Sequence, residues 1–260
     1  MYKIVIGNRK GGCGKSCTAQ NLSNWLVLQG YKVLLIDADN QSNTSYTMGY
    51  DTVADEDIIT LFDVLNGDAT LKEAIQPVIR KGAGKWDIVP AEEKMALFDN
   101  GIMPIKTSLS DALKSVYGDY DYCVIDTPLS KSLITSSALN ASDAVIITCV
   151  AEIYSVQGAQ NFAKSVIASK KYNPELKVSG ILITRHNERL SIAKDISDML
   201  ESTAKMIGTK VFDVKIREGV AVREANAYRM GLFDYDTKRR SVASIDYDRF
   251  FKELILKGGK

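Results

Sequence analysis

Asn8-Arg9-Lys10-Gly11-Gly12-Cys13-Gly14-Lys15-Ser16 is the stretch on which the reading of this chain turns. It follows an apolar run, Ile4-Val5-Ile6, and precedes apolar residues at helical spacing, Ala19, Leu22, Trp25 and Leu26. A glycine-rich turn between strand and helix exposes successive backbone N–H groups at a helix N-terminus, which suits phosphate oxygens. In that frame Lys15 reaches the outer phosphates of a nucleotide and the Ser16 hydroxyl is available to Mg²⁺. Gly11, Gly12, Cys13, Gly14 and Cys17 complete the expected nucleotide-binding set. The usual spacing G-x-x-x-x-G-K-[ST] is not met, because Arg9 stands where its first glycine belongs. A second lysine, Lys10, opens the loop instead.

The form K-G-G-x-G-K-[ST] resembles the deviant Walker A motif of the ParA/MinD family of P-loop ATPases. The resemblance implies ATP and Mg²⁺ as cofactors and a homodimer formed with ATP. It also implies that Lys10 acts catalytically beside Lys15, by reaching the phosphates held in the other subunit.

A chain of 260 residues, 45% hydrophobic and 25% charged, has the composition of a globular protein with one substantial core. The formal net charge of +1 means that any nucleic-acid binding must come from a local patch. Cys13, Cys17, Cys123 and Cys149 show neither zinc-ligand nor redox C-x-x-C spacing, which fits free thiols in a reducing compartment. The first residues run straight into a strand, and no apolar stretch is long enough to span a bilayer, so a cytoplasmic protein is expected.

Apolar runs at 3–7, Lys32–Ile36, Trp86–Val89, Tyr122–Ile125, Ala144–Val150 and Val178–Thr184 alternate with helical patterns near 16–29, 105–117, 131–139, 155–172, 189–206 and 241–257. A shorter strand is expected at Lys210–Val214. This alternation predicts an α/β fold, a single domain over 1–260 with a mostly parallel twisted sheet and helices on both faces. The segment 41–85, with short helical pieces at Leu61–Leu65 and Leu71–Ile75, reads as surface elaboration.

Two strands end in carboxylates. Asp37-Ala38-Asp39 follows Val33-Leu34-Leu35-Ile36, and Asp126 closes Tyr122-Cys123-Val124-Ile125. The carboxyl ends of parallel strands are where open α/β sheets bind ligands. By the resemblance, Asp39 positions the water that attacks the γ-phosphate. Asp126 is the Walker B carboxylate on Mg²⁺, and Asp37 supports the metal beside Ser16. Asn40 departs from the family's proline, and Pro128 stands where two prolines are common. Residues 127–132 are expected to respond to the γ-phosphate as a second switch. Phosphoryl transfer needs mostly positioning and charge neutralisation, which these groups supply.

The resemblance also assigns Arg185 and the segment from Ile216 and Arg217 to the base, and Glu152 to the partner's nucleotide. It raises a DNA-binding reading for Arg189, Arg217, Arg223, Lys238 and Arg239, through phosphate contacts that do not read sequence. The function implied is that of a nucleoid-associated ParA-type partition ATPase. Such a protein carries plasmid or chromosome cargo, and a ParB-like centromere-binding adaptor stimulates its hydrolysis. Two alternatives compete. A MinD-like positioning ATPase would bind membrane through the C-terminal stripe Tyr247, Phe250, Phe251, Leu254 and Ile255, but such a stripe more often packs on its own domain. A relative of the nitrogenase iron protein would need loop cysteines on a dimer face, whereas Cys123 and Cys149 fall in strands. With the loop beginning by residue ten, no helix-turn-helix domain is expected before it, and hence no repression of its own operon.

Overall fold

The central strands carry apolar side chains on alternate faces, so both faces of the sheet need a cover. The computed structural model describes residues 1–79, 84–186 and 193–257. Its strands are β1 (Tyr2–Gly7), β2 (Val33–Asp37), β3 (Gln76–Pro77), β4 (Trp86–Val89), β5 (Tyr122–Asp126), β6 (Ala144–Val150) and β7 (Lys177–Thr184). Among the described residues the helices are α1 (Lys15–Leu28), α2 (Asn43–Thr47), α3 (Leu61–Asn66), α4 (Leu71–Ala74), α5 (Ala96–Asp99), α6 (Leu109–Lys114), α7 (Leu133–Ala141), α8 (Ile153–Ser169), α9 (Ala193–Met206), α10 (Val220–Ala227), α11 (Leu232–Tyr235) and α12 (Val242–Lys257).

The strands form one sheet in the order β3-β4-β2-β5-β1-β6-β7, parallel except for the β3–β4 pair. Val5, Leu34, Ile36, Ile125, Val145 and Ile181 turn to a core completed by Leu113, Leu139, Phe162 and Leu200 from α6 to α9. Ile4, Ile6, Leu35, Val124, Ile146 and Leu182 turn to the other, completed by α1 and α12. β1 runs between β5 and β6, so its loop emerges at the middle of the carboxyl edge. Asp37 and Asp126 are paired in register on the adjoining strands.

The C-terminal stripe is absorbed by this second core. Tyr247, Phe250 and Phe251 are 1%, 0% and 0% exposed, and Leu254 and Ile255 pack against them. Phe251 lies 5.9 Å from Trp25 of α1, and the Trp25 indole N–H donates to Asp248 at 2.9 Å. Burying each phenylalanine contributes roughly 1.5–3 kcal/mol to seating α12 on its own domain. Among the described residues no helix is long and apolar enough to cross a membrane.

The strand expected at Lys210–Val214 does not form. Phe212 N–H bonds Ile181 O and Ile216 N–H bonds Ile183 O, so four steps along this segment span two along β7. The chain therefore bows outward at Asp213–Lys215, leaving an isolated bridge at Val211. The helix expected near 189–206 is seen from Ala193, its first residues lying outside the described ones. The pieces expected at Leu61–Leu65 and Leu71–Ile75 are α3 and α4, each opened by a threonine capping box, Thr60 with Asp63 and Thr70 with Glu73.

Candidate nucleotide site

The phosphate loop owes its shape to two glycines in the left-handed region, Gly12 at φ 72° and Gly14 at φ 79°. Gly14 has a second constraint, since a Cβ there would come within 3.3 Å of the Thr184 side chain. Asn8 anchors the start of the loop. Its buried carboxamide donates to Thr148 O at 2.5 Å and accepts from Lys10 N–H at 2.9 Å. Cys13 is 1% exposed, with its thiol against Lys10 O at 3.0 Å, and acts as a small packing residue. Arg9, in the position of the missing glycine, turns onto α8 and donates to Ser165.

A cleft of about 660 Å³ opens over this loop. Its walls include Gly11, Gly12, Cys13, Gly14, Lys15, Ser16 and Cys17, with Asp39 at one side and Arg185, Ile216 and Arg217 at the other. These positions come from four distant parts of the sequence. Lys15 is 6% exposed, whereas Lys10 is exposed and its ammonium makes no hydrogen bond or ion pair among the described residues. Glu152 immediately precedes α8, exposed, and does not line the cleft.

At the carboxyl edge Asp37 and Asp126 are both fully buried. Asp37 accepts from the Ser45 N–H and hydroxyl at 2.8 and 2.7 Å, and from Asp39 N–H at 3.1 Å. Asp126 Oδ2 accepts from Thr44 at 2.8 Å. Burial raises both carboxyls above the ordinary range, and the Asp126 charge adds to the rise at Asp37. Lys15 and the Ser16 and Thr44 hydroxyls oppose that rise at Asp126. Asp39 is also raised by burial, against Gln41 N–H and the Lys15 charge.

One atom of this cluster lacks a partner: Asp126 Oδ1 is buried and accepts no hydrogen bond among the described residues. Such an oxygen costs about 1–3 kcal/mol, which a cation or its hydration water arriving with the nucleotide would offset. The residues therefore fit magnesium, which Ser16 and Asp126 would hold, with Asp37 paired in register beside Asp126 as the supporting carboxylate. Among the described residues no three His, Cys, Asp or Glu side chains gather as a metal cage. An ion carried on a triphosphate needs none.

The base end shows what sequence reasoning assigned and what it missed. Arg185 is exposed, holds φ 49° and pairs with Glu218 at 3.3 Å. It leans toward the phosphate loop: a Cβ on Gly12 would lie 3.8 Å from its Nη1. Arg217 forks onto the buried Asp246 carboxylate at 2.8 and 2.7 Å. Arg239 pairs with Asp248. These two guanidinium groups are thus engaged within the chain, whereas Arg223 and Lys238 are exposed and Arg189 lies outside the described residues. Tyr247 and Val222 also line the cleft. Tyr247 read as part of an apolar stripe, but its phenol reaches Thr18 Oγ1 at 3.1 Å. Thr44 was missed because a threonine after the acidic strand carries no signal of its own.

The model of an AAA domain matches residues 1–178. The sporulation initiation inhibitor protein Soj of Bacillus subtilis is 31% identical over 245 residues, 92% of this chain and 94% of that protein. The chain belongs to the ParA/MinD family of P-loop ATPases. Another family member, the chromosome partitioning protein ParA of Caulobacter vibrioides, is 31% identical over 258 residues, 97% of this chain and 93% of that one. Among solved structures, cobyrinic acid a,c-diamide synthase from Mycobacterium smegmatis, with bound ATP analogue and magnesium, superposes with a TM-score of 0.79. It is 25% identical and covers 98% of this chain and 94% of that one. The family fold thus also serves a biosynthetic enzyme, so the fold by itself does not select a positioning role.

Proposed function

We propose that this chain is a ParA-type ATPase that dimerises on binding ATP and Mg²⁺, binds DNA without reading sequence, and positions plasmid or chromosome cargo. Hydrolysis releases it from DNA and is stimulated by a ParB-like adaptor. The observation that carries this reading is Lys10. It stands at the mouth of the phosphate loop, is held there through its backbone by Asn8, and has an ammonium that no described group of its own chain uses. A cation so placed serves a triphosphate presented from outside, which is the work of a partner subunit. Apolar side chains flank it: Leu129 stands against Gly11, and exposed Ile153 and Tyr154 open the helix whose Gly158 abuts Lys10.

In the reaction, Lys15 and the loop N–H groups hold the phosphates, and Ser16 and Asp126 would hold the ion. When bound, magnesium neutralises charge on the phosphate oxygens. Asp39 orients the attacking water from the wall of the cleft. Lys10 of the second subunit adds positive charge where negative charge builds on the transferring group. A relative named as a chromosome partitioning protein, ParA of Caulobacter vibrioides, supports the cellular role. The burial of the α12 stripe counts against a membrane tail made from Tyr247, Phe250 and Phe251.

Binding to random duplex DNA and to anionic liposomes separates the two readings. DNA binding is expected with ATP and not with ADP, and log affinity should fall with log salt with a slope steeper than about −2, given roughly 0.9 per phosphate contact. Liposome binding without DNA binding would replace this reading with the MinD-like one.

A further inference from the structure

Asp99 ends α5 and belongs to none of the motifs that announce the site. Its neighbour Phe98 is fully buried and packs on Phe62 at 5.0 Å, which fixes α5 to the core. From that anchor the Asp99 carboxylate reaches the loop after β5: the Ser130 hydroxyl donates to Oδ2 at 3.2 Å. Burial raises the Asp99 carboxyl above the ordinary range, and the Ser132 and Ser130 hydroxyls and the Ile134 N–H oppose that rise. Its second oxygen, Oδ1, is buried with no partner among the described residues. The carboxylate is close enough to Asp39 for its charge to act there.

The loop in question matters to the cleft. Leu129, adjacent to Ser130, forms part of its wall and would touch a Cβ on Gly11 at 3.7 Å. A shift of Ser130 therefore moves the wall against the phosphate loop.

We propose that Asp99 is a positioning residue for hydrolysis: anchored by α5, it fixes residues 127–132 against the site and so sets where Asp39 and the attacking water meet. This rests on the ATPase reading above. It predicts that nucleotide affinity, which depends on the phosphate loop, is insensitive to Asp99, whereas turnover is not.

Steady-state ATP hydrolysis of the full chain tests it, with thermal melting as the check on folding. Asp99→Ala should lower kcat about tenfold with KM within twofold of the parent. Asp99→Asn, which keeps an acceptor for Ser130, should recover at least half of the lost rate. Ser130→Ala, the milder change, should lower kcat two- to threefold. Unchanged kcat in Asp99→Ala, a KM that rises in step with the loss, or an Asp99→Asn variant no better than alanine would overturn the proposal. Lys15→Ala in the same assay probes the parent reading separately: hydrolysis that survives it would remove the ATPase assignment itself, whatever Asp99 does.

Discussion

At the scale of the residue, Gly158 shows how the phosphate loop is held. A Cβ there would lie 2.4 Å from Asn8 Oδ1, 2.9 Å from Lys10 Cβ and 3.1 Å from the Lys10 backbone nitrogen. The absent side chain is what lets α8 lie against the loop. Overpacking of this kind costs about 1–3 kcal/mol, and it falls on the loop atoms that face this glycine. Gly158→Ala should therefore lower the thermal midpoint and weaken nucleotide binding about tenfold, read by a fluorescent-nucleotide titration. Full affinity at reduced stability would show that α8 moves instead. The reason for a glycine here was not legible in the sequence, because the contact joins residues about 150 apart. The loop itself could be read, since strand, glycines, lysine and helix follow one another locally.

At the scale of the element, the segment before α12 presents Lys238, Arg239 and Arg240 from a loop closed on Asp236. That carboxylate accepts from the Ser241 N–H at 2.8 Å, the Ser244 hydroxyl at 2.6 Å and the Arg240 N–H at 3.1 Å. Burial alone would raise its pKa, but these donors outweigh it and hold the group at about 2, below the ordinary 3.8. A folded value below the unfolded one means stability that is present above about pH 4 and lost as pH falls toward 2. Asp236→Asn should cost about 1 kcal/mol at pH 7, after discounting for solvent screening, and little at pH 2.5. Urea melts at the two pH values would show it, and an equal cost at both would rule out the charge as the cause. Central strands were legible because continuous apolar runs such as Leu34-Leu35-Ile36 leave little else to do than lie buried between two layers. The Lys210–Val214 strand misled because Phe212 and Val211 satisfy an apolar pattern while the backbone follows β7 at only some positions. The β3–β4 hairpin gave no signal, its first strand being two residues long and ending in proline.

At the scale of the whole molecule, the cleft gathers its walls from one edge of the sheet and leaves the phosphate side facing outward, where a second copy would close it. In the proposed dimer, Lys10 is the group that would decide whether that closure happens. Its ammonium makes no hydrogen bond or ion pair among the described residues of its own chain, whereas Lys15 is buried beside the cleft. In the proposed dimer Lys10 would meet a triphosphate desolvated by the approach of the two faces, where a charge-assisted contact is worth about 1.5–3 kcal/mol. Two such contacts per symmetric dimer make the association of Lys10→Ala weaker by 3–6 kcal/mol, roughly a hundredfold or more in dissociation constant. Sedimentation velocity with a non-hydrolysable ATP analogue should show dimers of the parent and monomers of the variant at the same concentration, with nucleotide affinity of the monomer within threefold. Because DNA binding by a dimer doubles the number of phosphate contacts available to one monomer, the variant should also lose ATP-dependent DNA retention. A variant that dimerised as the parent does would mean that Lys10 serves its own chain, and the exchange of cations between two subunits would have to be abandoned.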